Sequence, residues 1–197
     1  KGTQTVSLDE AHVLYDLHGN PVDAVADEQE AIRQALRHPI GSAPLKDVVQ
    51  AGDTVAIIVS DITRLVHTAQ MLPVIVDELN QAGVRDEQIT VVTAQGTHRA
   101  HTPEEDVTVC GEDMVKRVKV VSHDCRDASQ LTKIGTTTHG NDVYLDSHVV
   151  QTDKVILTGA VSFHPMAGFG GGRKAVLPGV ASYETIMRNH AMALTDT

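Results

Sequence analysis

The heptapeptide Thr54-Val55-Ala56-Ile57-Ile58-Val59-Ser60 decides the architecture. A strand with one wet face alternates apolar and polar residues. An uninterrupted β-branched run instead suits a strand covered on both faces, as in parallel sheets whose crossover helices lie above and below. Gly52-Asp53 supplies the turn into it. Working outward, Leu72, Ile75, Val76 and Leu79 recur at helical spacing within Leu65 to Gln81, and Gly83 stands where a helix C-cap falls. Pro73 requires either a first-turn position or a kink.

Further apolar runs follow at Ile89 to Ala94, Val118 to Ser122, Asp142 to Leu145 and Val155 to Val161. Thr102 ahead of Pro103-Glu104-Glu105-Asp106 marks a helix start, with a capping hydroxyl, proline at N1 and acids in the first turn. Glu28 to His38 places Ala31, Ile32, Ala35 and Leu36 on one helical face, which Pro39 ends, and a closing helix starts near Ser182. The alternation predicts an α/β fold: an open, mostly parallel, Rossmann-like sheet flanked by helices. Residues 1–50 are expected to form an irregular and helical segment packed on a main domain of residues 51–197. The chain opens at Lys1 without Met and stops at Thr197 just past a helical pattern, so an excerpt of a longer protein is expected.

Composition narrows the function. Of 197 residues, 16 are Lys or Arg and 26 are Asp or Glu, a net charge of −10 that argues against general nucleic-acid binding. Aromatic residues make up 3% with no Trp, so the core must come from Val, Ile, Leu and Ala. Without a secretory h-region or an 18-residue apolar run, a cytoplasmic protein without membrane contact is expected. Cys110 and Cys125 are too few for a disulfide framework or a multi-cysteine zinc site and read as packing residues.

Chemistry concentrates in Ser162-Phe-His164-Pro-Met-Ala-Gly168-Phe-Gly170-Gly171-Gly172-Arg173-Lys174. Glycines let backbone N–H groups approach an anion, and the terminal cations add charge, so a phosphate-binding loop is one reading. A mobile turn with a solvated Arg-Lys end is the other. The common templates fail: a Walker loop needs Gly before Lys and Ser or Thr after it, where Arg173 and Ala175 stand. The dinucleotide fingerprint needs a glycine at Arg173.

Ser162 to Lys174, the following Leu177-Pro178-Gly179 and Arg188-Asn189-His190, together with Ser60-Asp61-Ile62-Thr63-Arg64 and Gly96-Thr97-His98-Arg99, resemble the signature of the nickel-pincer lactate racemase family. The likeness spans nearly all of the chain after residue 40 and five separated motifs. It implies the N-terminal domain of a two-domain racemase or epimerase of a small 2-hydroxy acid. The implied cofactor is a nickel pincer nucleotide, the pyridinium-3-thioamide-5-thiocarboxylic acid mononucleotide with Ni, tethered at Lys174. His190 is then the nickel ligand, and His98 and His164 are the paired acid/base residues. Asp61, Ile62, Thr63, Arg64, Gly170, Gly171, Gly172 and Arg173 contact the cofactor, with Arg64 also near substrate. Cofactor-biosynthesis proteins and a C-terminal closing domain are the implied partners. Without that domain, weak cofactor binding and little turnover are expected.

Physical expectations stand beside the resemblance. His98 and His164 each follow an apolar run, so parallel strands would bring both imidazoles to one sheet edge; otherwise they are unrelated surface residues. Racemisation needs a base and an acid on opposite faces of the substrate, and imidazole titrates in the right range for both. His190 lies on the stripe of Tyr183, Ile186, Met187 and Leu194, as a ligand or as a hydrogen-bonded core residue. His101 is expected to be ordinary, and His12, His18, His38, His67, His123, His139 and His148 mostly solvated. A non-catalytic module holding a phosphorylated ligand remains the alternative; a zinc hydrolase lacks a ligand motif such as H-E-x-x-H.

Overall fold

The computed structural model describes residues 3–192 and 194. After a 3-10 turn at Glu10–His12 come α1 (Glu28–Arg37), α2 (Leu45–Val48), β1 (Val55–Ser60), α3 (Thr68–Gln81) and β2 (Ile89–Ala94). They are followed by α4 (Pro103–Cys110), α5 (Glu112–Arg117), β3 (Lys119–Ser122), β4 (Leu131–Thr136), β5 (Asp142–Asp146) and α6 (Ser147–Val150). The chain continues through β6 (Lys154–Leu157), β7 (Phe163–His164), β8 (Gly168–Phe169), a 3-10 turn at Gly172–Ala175 and α7 (Tyr183–Met192). The main sheet has the order β3-β2-β1-β6, every neighbour parallel. It is the α/β sheet flanked by helices that the sequence predicts.

β1 explains why the opening run is uninterrupted. Val55, Ile57 and Val59 join Leu72, Val76 and Leu79 of α3 and Val109 and Met114 of α4 and α5 in one buried cluster. Ala56 and Ile58 face the other way, onto Val92, Val149 of α6 and Val180. Each apolar side chain from 55 to 59 is fully buried, and removing one from water is worth about 1.5–3 kcal/mol for a Val or Ile. α3 begins at Thr68 rather than Leu65, and Pro73 lies inside it. α4 carries the expected cap: Thr102 and Glu105 form a reciprocal capping box with Pro103 at the helix start.

Two expectations are corrected. The apolar run Val155 to Val161 is a strand only to Leu157, because β6 is an edge strand whose Val155 and Leu157 face solvent and Val161 lies beyond it in the open. His123 is not solvated: its ring is completely buried, with Nδ1 2.9 Å from Asp146 Oδ2 and Nε2 3.0 Å from the Ala181 carbonyl. β4 pairs antiparallel with β5 in a ribbon that the sequence pattern did not suggest. In the N-terminal part, residues 3–31 are exposed, whereas Leu36, Leu45 and Val49 pack into the main core. Arg37 anchors this part through Glu78 at 2.6 Å.

Candidate active site

The strand order locates the site. From β1 the chain proceeds to β2 on one side, and β6 later adds on the other, so connections leaving β1 and β6 diverge and open a crevice at their C-terminal ends. There Ser60, Asp61 and Arg64 after β1 face Thr158, Ala160 and His164 after β6 across a cleft of about 240 Å³. Gly170, Gly171 and Lys174 complete its lining. An adjoining cleft of about 220 Å³ shares Arg64, His164 and Lys174 and adds His98 and His190. The two imidazoles thus share a sheet-edge cleft with the lysine and the third histidine.

His98 reaches the cleft from the turn after β2. Its Nδ1 lies 2.5 Å from Asp61 Oδ2. A carboxylate accepts, so Nδ1–H donates, a bond that in the neutral ring leaves the lone pair on Nε2. Asp61 is only 2% exposed; its Oδ1 accepts from the Thr63 hydroxyl at 2.8 Å, and Arg64 stands 3.8 Å away. The dyad therefore has a buried orienting carboxylate and a half-exposed ring, the ring 42% accessible.

His164 is held differently. It lies not directly past β6 but in the β7–β8 hairpin, where His164 pairs with Gly168 and Phe163 with Phe169. Its Nδ1 accepts from the Ala167 amide at 3.1 Å and the Met166 amide at 3.3 Å, which places the proton of the neutral ring on Nε2. Burial pushes its pKa below the ordinary histidine value, and the charges of Lys174, Arg64 and His190 push the same way. Lys174 is also lowered, first by burial and then by Arg64, with Asp61 opposing. Arg64 and Lys174 thus crowd into one cleft of an acidic chain.

The glycine loop earns its composition at Gly170 and Gly171. A Cβ on Gly170 would stand 3.0 Å from Ser162 Oγ and 3.1 Å from the Ala160 carbonyl, and one on Gly171 3.1 Å from that same carbonyl. The loop is seated on the chain leaving β6, with Gly170 N–H donating to Ser162 O at 2.7 Å. His190 projects from α7, which is pinned by buried Ile186 and by Thr185, whose hydroxyl donates to Asp142 O at 2.8 Å.

Not every expected residue joins the clefts. Asp61, Arg64, Gly170, Gly171 and Lys174 do, with His98, His164 and His190. Ile62 packs against the main core instead, and the Thr63 hydroxyl is spent on Asp61. Gly172 and Arg173 line a neighbouring cleft with Lys174, Phe169 and Asn189. Sequence reasoning missed Thr158 and Ala160, having read a strand through them; the Thr158-Gly159 pair breaking the apolar run was the available signal. It also missed His101, whose side chain is fully buried beside the site.

Fold and cleft together define an α/β domain in which histidines, a lysine and an arginine converge at the crevice of a parallel sheet. The chain belongs to the lactate racemase N-terminal domain family, whose profile matches residues 1–197. It is 39% identical to a lactate racemase of Lactiplantibacillus plantarum over 164 residues, covering 83% of this chain and 38% of that protein. A lactate racemase of Thermoanaerobacterium thermosaccharolyticum is 34% identical over 163 residues, with the same coverages of 83% and 38%. The structure of the lactate racemase apoprotein from the latter organism superposes with a TM-score of 0.76 at 33% identity, over 81% of this chain and 38% of that one. A Thermotoga maritima crystal structure shares the fold, with a TM-score of 0.68 at 24% identity over 91% of this chain and 43% of that one. The chain thus spans 38% of the length of the curated relatives it matches.

Proposed function

We propose that this chain is the cofactor-carrying part of a racemase or epimerase of a small 2-hydroxy acid, lactate or a close analogue, that works with a nickel pincer nucleotide. The observation that carries the reading is the meeting of His98, His164, Lys174 and His190 in one cleft. The residues fit the group. His190 lines the same cleft as Lys174, so an organic group held at Lys174 would supply a metal at His190 with its other donors. Nickel(II) accepts a planar set of nitrogen and soft donors of that kind. Lys174, depressed by burial and by Arg64, offers its amine in the neutral, acylable form more readily than a solvated lysine does. When bound, the cofactor supplies a hydride acceptor and donor.

The chain's own groups supply placement and proton transfer. Arg64 attracts the substrate carboxylate into the cleft. His98, with Nδ1–H committed to Asp61, presents Nε2 as the base for the hydroxyl proton. His164 serves the opposite face. Its exchange between acid and base requires the ring to release the Met166 and Ala167 amides, and an anion neutralising Arg64 favours its protonated form. With the His98 ring 42% accessible, water is poorly excluded, and the chain alone is proposed to turn over slowly or not at all.

The test is mass spectrometry and metal analysis of the protein produced together with cofactor-biosynthesis enzymes, followed by a racemisation assay. A mass addition on Lys174, stoichiometric nickel lost in H190A, and interconversion of lactate enantiomers by the full-length enzyme are the expected results. An unmodified Lys174 with a phosphorylated ligand bound and no turnover would replace the reading with a non-catalytic binding module.

A further inference from the structure

His101 shows no accessible side-chain surface, yet it touches none of the groups proposed to meet substrate. Its Nδ1 lies 2.9 Å from Asp106 Oδ1 in the first turn of α4, and its Nε2 lies 2.9 Å from the Ile62 amide nitrogen. Only the neutral ring protonated on Nδ1 satisfies both contacts: Nδ1–H donates to the carboxylate, and Nε2 accepts from the Ile62 N–H. The His101 amide in turn donates to Ser122 Oγ at the end of β3, at 3.2 Å. One residue therefore ties the chain leaving β2 to the C-terminal ends of β1 and β3.

Ile62 directly follows Asp61, the orienter of His98. The Asp61 turn closes on itself through Arg64 N–H donating to Asp61 O at 2.9 Å, but that bond moves with the turn and does not fix it against the sheet. The His101 bond to Ile62 comes from outside the turn and fixes it there. We propose that His101, set in its tautomer by Asp106, is a positioning residue for His98: it holds the Asp61 turn so that the Asp61 carboxylate meets His98 Nδ1. In the racemase reading, on which the functional meaning of this placement rests, a displacement of about an ångström at the base would lower turnover sharply.

The test uses the chain with 15N-labelled histidines, comparing H101L, H101Q and D106L with the parent by ring-nitrogen chemical shifts of His98 and by hydrogen exchange of the Ile62 amide. In H101L, Ile62 exchange rises about tenfold, the loss of roughly one hydrogen bond. The His98 nitrogens move from a fixed Nδ1–H tautomer toward a mixture. H101Q, whose side-chain carbonyl can accept from Ile62, retains Ile62 protection and the His98 tautomer. D106L, a change at a partly exposed helix residue, frees the His101 ring and shifts His98 in the direction of H101L, which decides the matter should H101L fail to fold. Unchanged His98 signals in a folded H101L or in D106L overturn the proposal whatever the enzyme's activity. Shifted signals in a protein whose parent neither binds nickel nor racemises leave the positioning role standing and overturn the racemase reading alone. In the cofactor-bearing full-length enzyme, H101L lowers kcat with KM held within about threefold, as for loss of a transition-state arrangement rather than of substrate binding.

Discussion

Replacing His123 with Leu tests how the segment carrying His190 is held. The His123 ring is completely buried, and Asp146 is 1% exposed. Both ring nitrogens face acceptors, Asp146 Oδ2 at 2.9 Å and Ala181 O at 3.0 Å, so the doubly protonated ring is the form that satisfies both. Burial alone would raise the pKa of Asp146, but hydrogen bonds from His123 and His148 outweigh it and hold the carboxyl below its usual range. H123L fills most of the volume but strands the carboxylate. Removing one partner of a buried ion pair costs about 3–5 kcal/mol. The lower end is expected, because Asp146 keeps the His148 amide at 2.9 Å and His148 Nδ1 at 3.0 Å. Against a total stability of about 5–15 kcal/mol, a loss of about 3 kcal/mol moves the urea midpoint down by about 1–2 M. Urea unfolding followed by circular dichroism gives the midpoint, and hydrogen exchange shows whether the loss extends to α7, which follows Ala181. The double variant H123L/D146L should recover part of the loss. A penalty under about 1 kcal/mol, or strict additivity, refutes the buried-pair argument. The pH dependence follows by sign: a lowered carboxyl contributes stability that is present above its unfolded pKa of about 3.9 and is lost as pH falls through the lower folded value. D146N should flatten that loss below about pH 4.

The lowered pKa of Lys174 predicts faster acylation by a small anhydride at pH 8 than at Lys46, Lys116 or Lys154, read by peptide mass mapping; R64Q should slow it, and equal labelling of all four sites would contradict the crowded-cation reading. G179A drives a Cβ into the Ala175 carbonyl and places it 2.9 Å from Ala94 Cβ, so a melting experiment should show a loss at the upper end of the about 1–3 kcal/mol typical of overpacking, and a neutral result would show that the turn relaxes freely. D61N removes the charge that His98 Nδ1 meets. A charged hydrogen bond is worth about 1.5–3 kcal/mol, so under the proposed racemase function kcat of the full-length protein should fall at least tenfold, while unaltered kinetics would remove Asp61 from the proposed proton-transfer apparatus.

The sequence made β1 legible because both faces of that strand are covered, so burial wrote itself into every position from Val55 to Val59. α4 was legible because a capping box is local, closed between Thr102 and Glu105. β6 was overextended for the converse reason: at a sheet edge Val155 and Leu157 are apolar without being buried, and pattern reading equates the two. β4 left little pattern because most of Leu131–Thr136 is exposed and a glycine interrupts it. The site followed the same division. Its loops were visible as glycines and cations, and the order of the motifs carried the family resemblance. His101 and His123 were invisible because their partners are remote: Ile62 lies 39 residues from His101, and Ala181 lies 58 from His123. Nothing in a neighbouring residue announces such a bond.

That division has a physical order. Three of the parallel strands deliver groups to the crevice: β1 the Asp61–Arg64 turn, β2 His98 with His101 buried beside it, and β6 the hairpin and glycine loop with His164 and Lys174. The orienting groups, Asp61 and His101, are buried and bonded on more than one side. The groups proposed to move protons, His98 and His164, stand at the accessible margin. The proposed racemase chemistry needs this gradient, because acid and base exchange roles between turnovers while the groups that orient them stay fixed. Rings clamped on every nitrogen, as His101 and His123 are, cannot trade protons with a ligand; His98, held at Nδ1 alone, can, and His164 can once Nδ1 leaves the Met166 and Ala167 amides. Among these four residues, the count of committed ring nitrogens separates the groups suited to proton transfer from those that hold them in place.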